Sequence, residues 1–148
     1  MSSESTKTSN MITLEKLKAE LTQDIKIDPT KLAEELLRNS YLYSKWANYL
    51  ADVRTQLSRA DVELKRVTAN RLNFYTGRST SEVCDYVYQT STELKMVIAA
   101  DEMVIRAEVK YQIYDNMITL ILKAMDAIKG RGFDIKAAME QRQFEQGK

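Results

Sequence analysis

Apolar residues recur every three or four positions along most of this chain, and that spacing predicts helices almost throughout. In "TLEKLKAELTQD", Leu14, Leu17 and Leu21 mark one face of a short amphipathic helix. A second helix is expected to open in "IDPTKL", with Asp28 as N-cap and Pro29 at the first helical position, where its missing N–H costs nothing. Further along it, Tyr43, Trp46, Leu50, Val53, Leu57, Ala60, Leu64, Val67, Arg71 and Phe74 alternate steps of three and four without a slip. A heptad seam of that length calls for a coiled-coil partner. From Pro29 to about Tyr75 the helix would be about 70 Å long at 1.5 Å per residue. Phe74 is its expected last core contact, and Gly77 is placed to stop it in the left-handed conformation.

Residues 79–90, "STSEVCDYVYQT", mix a capping-box pattern with β-type residues and are read only as a connector. A third helix is expected from about Ser91 to Lys129. Its seam has Val97, Val104, Tyr111, Ile118 and Met125 at one heptad position and Ala100, Ala107, Tyr114, Ile121 and Ile128 at the other. Gly130 and Gly132 in "KGRGF" should break it, leaving "DIKAAMEQRQF" as a last short helix. The fold class is therefore all-α: a long antiparallel, coiled-coil-like helical hairpin with short N- and C-terminal helices. Residues 12–148 are expected to form a single domain behind a disordered tail, residues 1–11, that has nothing to bury.

Beyond Tyr111 the third helix is apolar well outside its seam, at Ile113, Met117, Leu120, Leu122 and Ala124. A two-helix hairpin covers one seam, and short terminal helices cover little of so wide a face, so self-association is expected through residues 111–148. The candidate contacts are Tyr114, Met117, Ile118, Ile121, Leu122, Met125, Ile128 and Phe133.

Composition narrows the chemistry. The chain has no histidine and one cysteine, Cys84, which removes histidine triads, His or thiolate metal sites and an intrachain disulfide framework. Neighbouring carboxylates such as Asp101 and Glu102, or Glu34 and Glu35, point about 100° apart on a helix and read as solvated charges. "GRGF" lacks the setting and the lysine of a phosphate loop. No catalytic residue, cofactor or metal is expected, and the chain is not expected to be an enzyme. No apolar run suits a signal peptide or a membrane span, so a soluble, intracellular protein is expected.

The net charge of +1 points nowhere, but its distribution does. Residues 30–78 carry nine basic against five acidic side chains, and residues 79–148 carry nine against eleven, so an anionic ligand should favour the first segment. From Leu64 through Ser81 there is no acidic residue at all. Within that run Lys65, Arg66, Arg71 and Arg78 can neutralise phosphates and Tyr75 can stack on an unpaired base, the combination that single-stranded nucleic acid requires. Arg71 occupies a seam position, where the plainer reading is a register-setting residue or one paired with a carboxylate of the facing helix. Lys31, Arg38, Lys45, Asp52, Arg59 and Arg66, seven apart, form a mostly basic outer stripe that is ordinarily a solvated face.

Several stretches resemble one known family. "LYSKW" (42–46), "RLNFYTGR" (71–78), "AMDAIKGRGFDIK" (124–136) and "FEQGK" (144–148) are similar to the UvsY recombination mediators of tailed phages, in the same order from about Ile12 to Lys148. The resemblance implies a protein that binds single-stranded DNA and assembles as a ring-like or open-barrel homo-oligomer, a heptamer. It implies two further partners, a RecA-like phage recombinase and the phage single-stranded-DNA-binding protein that the recombinase must displace. The setting would be recombination, repair and recombination-dependent replication in the cytoplasm of the infected host cell, with no membrane partner. The family's Leu-Lys-Ala-Arg-Leu stretch, linked with DNA binding, reads Thr68-Ala69-Asn70-Arg71-Leu72 here. Its lysine is thus replaced by Ala69, and Lys65 and Arg66 are expected to supply the missing charge. The competing reading is a coiled-coil scaffold or adaptor without nucleic-acid binding.

Overall fold

A computed structural model describes residues 11–147, so the tail expected over residues 1–11 lies almost wholly outside the described residues. Four helices and no strand are found among them: α1 (Leu14–Asp24), α2 (Leu32–Tyr75), α3 (Ser91–Ala99) and α4 (Glu102–Gln146). The chain divides into two compact units, one built from residues up to Val53 together with those from Asn116 onward, the other from Arg54–Asp115. Both α2 and α4 contribute to each.

In the first unit the N-terminal part of α2 runs antiparallel to the C-terminal part of α4. Asn39 donates to the Ile128 carbonyl at 2.7 Å, while Glu35, one turn earlier, takes its partner from Arg131, nearly one turn later. Leu42, Trp46, Ile121, Ala124, Ile128 and Ile135 lose all solvent contact, at roughly 1.5–3 kcal/mol for each large side chain. α1 is N-capped by Thr13, whose hydroxyl accepts from the Lys16 amide, and it lays Leu17 into this core. Its last residue, Asp24, is buried and accepts from Trp46 Nε1 at 2.9 Å and from Lys45 Nζ at 2.6 Å, which is how a carboxylate is tolerated there. Lys45 also meets Glu20 at 3.0 Å, and Tyr49 donates to the same carboxylate at 2.8 Å.

Several expectations are corrected in this unit. α2 opens at Leu32, not Pro29; Asp28 caps a preceding turn instead, accepting from the Thr30 amide and hydroxyl. Gly130 and Gly132 do not break α4, which continues to Gln146 and absorbs the expected last helix. A Cβ on Gly132 would lie 2.8 Å from Asn39 Nδ2, so this glycine lets two helices approach. Arg131 is buried beside it, donating to the Glu35 and Lys26 carbonyls, to Asn39 Oδ1 and to the Glu35 carboxylate. Glu35 is therefore not a solvated charge. The buried apolar side chains of α4 here are Met117, Ile121, Ala124, Ile128 and Ile135, so Met117 and Ala124 take the inward places that an unbroken heptad assigns to Ile118 and Met125. Met117, Ile121 and Ile128 are buried within this one chain, whereas Leu122 and Phe133 are exposed.

The second unit has a thin core. Ala60, Val104 and Ala107 are buried, while Leu57, Leu64, Val67, Tyr111 and Tyr114 are half-buried. Small residues at the seam leave less apolar area to remove from water. α2 ends as expected at Gly77, which has φ 74°, and the Arg78 and Ser79 amides close back on the Asn73 carbonyl. Residues 79–90 form a connector without helix or strand, tied to α2 by the Tyr88 amide donating to the Tyr75 carbonyl at 3.0 Å. The helix expected from Ser91 to Lys129 is interrupted after α3. Asp101 stands in the gap as the N-cap of α4, its Oδ1 accepting from the Met103 and Val104 amides at 2.9 and 3.3 Å.

Candidate nucleic-acid interface

The acid-free run from Leu64 to Ser81 covers the last turns of α2 and the start of the connector, and the structure sorts its five candidate residues into two groups. Arg71 and Tyr75 face inward. Arg71 Nε donates to Asp101 Oδ2 at 2.8 Å and Nη1 to Glu82 at 3.1 Å, while the guanidinium lies 4.2 Å from the Phe74 ring centroid. Tyr75 donates its hydroxyl to the same Asp101 oxygen at 2.6 Å. Four donors thus converge on one carboxylate whose side chain is only 5% exposed. Of the alternatives open for Arg71, pairing with a carboxylate is the one found, and Asp101 is not the solvated charge that its neighbour Glu102 is.

The electrostatics follow from that geometry. Burial pushes the Asp101 carboxyl up, but hydrogen bonds from Tyr75, Arg71 and the two α4 amides outweigh it and hold the group below its ordinary value. The same bond to Asp101, reinforced by burial, raises the Tyr75 phenol. Arg71 is raised despite desolvation, by its bonds to Tyr75, Asp101 and Glu82. Phe74, expected as a core contact, is half-buried beneath this guanidinium and edge-on to Tyr75.

The other three candidates face solvent. Lys65 pairs with Asp61 at 2.9 Å and Arg66 with Glu63 at 3.9 Å, one turn away on the same helix, yet their side chains stay 75% and 67% exposed. Exposed pairs of this kind contribute little and yield easily to a stronger anion. Arg78 is exposed and enters no ion pair among the described residues. It borders a pocket of about 400 Å³ with Arg71, Asn70, Asn73, Ser79, Thr80, Ser81 and Glu82. Arg59 and Arg66 flank a second, shallower depression over Val62. The basic stripe is not a uniform solvated face, because Lys45 and Arg38 turn to Asp24 of α1.

Asp101 and Glu82 were missed as site residues. The signal for Asp101 was its place just before the apolar pattern resumes at Val104, as an N-cap requires; Glu82 is the first acid after the acid-free run. Among the described residues no helix is long and apolar enough to cross a membrane.

Residues 20–148 match the family model described as "Recombination, repair and ssDNA binding protein UvsY". The recombination protein uvsY of Enterobacteria phage T4 is 36% identical over 135 residues, which span 91% of this chain and 98% of that protein. Crystal structures of the bacteriophage T4 recombination mediator protein UvsY superpose with a TM-score of 0.85 in one lattice type, at 35% identity over 92% of this chain and 99% of that one. In another lattice type the TM-score is 0.75, at 30% identity over 91% and 99%. The chain therefore belongs to the UvsY family of recombination, repair and single-stranded-DNA-binding proteins.

Proposed function

We propose that this protein is a recombination mediator that binds single-stranded DNA and promotes loading of a RecA-like phage recombinase onto DNA covered by the phage single-stranded-DNA-binding protein. The family match over residues 20–148 carries this reading. Lys65, Arg66 and Arg78 are the phosphate contacts, since all three are exposed and their same-helix pairs, where present, are weak. Arg71 and Tyr75, fixed by Asp101, position the end of α2, and Arg71 offers its outer donors to the strand.

The working form is a ring-like homo-oligomer, a heptamer by the resemblance. Exposed Leu122 and Phe133, with half-buried Tyr114, Ile118 and Met125, are the contacts left to build it. Repeating one weak site around a ring raises the effective concentration of the next site. A strand bound along the ring takes up a conformation that the recombinase holds better than the coating protein does, and differential affinity moves it from one to the other. The protein acts in the cytoplasm of the infected host cell.

The test is displacement of labelled single-stranded-DNA-binding protein from an oligonucleotide by the recombinase, with and without this protein. Faster displacement is expected. An unchanged rate, with the protein bound to neither partner nor DNA, would favour the scaffold reading.

A further inference from the structure

We propose that the pocket at the end of α2 is a phosphodiester-binding site that the protein's own Glu82 carboxylate occupies until single-stranded DNA displaces it. The inference rests on the DNA-binding reading above and adds a regulation to it.

The placement of charge argues for this. Over the eighteen residues from Leu64 to Ser81 the chain carries no acid, and the first one after it, Glu82, folds back onto Arg71 at 3.1 Å. The pocket that Glu82 lines is otherwise furnished for an anion. Arg71 and Arg78 supply guanidinium donors, Thr80 and Ser81 hydroxyls, and Asn70 and Asn73 amides. Arg71 is pre-positioned, because Nε is fixed by buried Asp101 and Phe74 supports the plane of the group, so Nη1 is presented to the pocket at little further entropic cost. A carboxylate held there has the charge and the planar pair of oxygens that also fit a guanidinium fork, and a phosphodiester offers the same pattern.

The exposure of the two partners is unequal. Arg71 is 13% exposed at its side chain, Glu82 52%. Glu82 sits in a connector with no helix or strand, held by its amide donating to Ser79 Oγ at 3.3 Å. Glu82 keeps half of its side chain in water and returns to solvent when released, whereas Arg71 keeps its bond to buried Asp101. The gate therefore opens on the connector side. Its use is discrimination: a single weak anion does not displace Glu82, but a strand whose neighbouring phosphates already engage Arg78 and Arg66 does.

The experiment is a fluorescence-anisotropy titration of a labelled oligothymidylate with the full chain, its Glu82→Gln variant and its Asp85→Asn variant. Asp85→Asn makes the same charge change in the same connector, away from Arg71. Glu82→Gln should bind about fivefold more tightly at low salt, the effect of removing one competing charge near a surface site. Asp85→Asn should bind like the parent chain. Equal or weaker binding by Glu82→Gln, or an equal gain in Asp85→Asn, would overturn the gate while leaving DNA binding intact. No binding by any of the three would overturn the gate and the DNA-binding reading together.

Discussion

Replacing Asp101 separates two jobs that one carboxylate performs. Its Oδ1 caps α4 by accepting from the Met103 and Val104 amides, and its Oδ2 accepts from Arg71 and Tyr75. Asp101→Asn keeps an oxygen for the cap, since Asn caps as well as Asp, but puts an amide donor or a neutral oxygen before Arg71. Breaking a buried pair from one side costs about 3–5 kcal/mol, and Glu82 still partly compensates Arg71, so the low end, about 3 kcal/mol, is expected. Asp101→Ala also loses the cap, worth about 1 kcal/mol more, for a total near 4 kcal/mol. Urea unfolding followed by circular dichroism, at one fixed protein concentration, measures both. The carboxyl titrates below its ordinary 3.8 in the folded chain, so its contribution is fully present above that value and is lost as the pH falls through the folded one. The gap between parent and Asp101→Asn should accordingly close in acid. A loss below about 1 kcal/mol for Asp101→Ala, or a gap independent of pH, would refute the reasoning.

Burial, with the hydrogen bond to Glu20, pushes the Tyr49 phenol from 10.0 up to about 12. Its stability contribution is present below the ordinary value and lost as the pH rises through about 12, so ultraviolet titration should show a late phenolate step that Tyr49→Phe removes. Gly132→Ala should cost about 1–3 kcal/mol in thermal or urea unfolding, because the new methyl meets Asn39, itself pinned by Ile128 and Arg131. Gly130→Ala, with no heavy atom within 4 Å, should instead stabilise by about 0.5–1 kcal/mol. Leu122→Ser with Phe133→Ser should lower the sedimenting mass at unchanged helix content, whereas Ile121→Ser, at a fully buried position, should lower stability by about 2–5 kcal/mol.

Much of this fold could be read from heptad spacing, and the departures have physical causes. The α2 seam from Trp46 to Val67 was legible because each inward residue is apolar at a regular step. The α4 seam was legible at Val104, Ala107, Ile121 and Ile128 but not at Ile118 and Met125, because an apolar neighbour precedes each of these and packing selects Met117 and Ala124 instead. The two glycines misled because intrinsic propensity is weak beside tertiary contact; Gly132 is required where Asn39 presses on the helix. The break at Asp101 was hidden in a pattern whose seam continues across it from Val97 to Val104. At the site, sequence located the basic run and set Arg71 on the seam, but it could not name the carboxylate that Arg71 meets, since Asp101 lies thirty residues away.

Exposed cations at the end of α2 are proposed above to hold the phosphates of single-stranded DNA. The most direct test of that proposal is the salt dependence of oligothymidylate binding for the full chain and for Lys65→Ala/Arg66→Ala. Saturable binding is expected, with a slope of log K against log salt that becomes shallower by about 1.4 in the double variant, at about 0.7 per lost phosphate contact. Binding no stronger than that of a charge-matched control protein, or a slope unchanged by the double substitution, would contradict it.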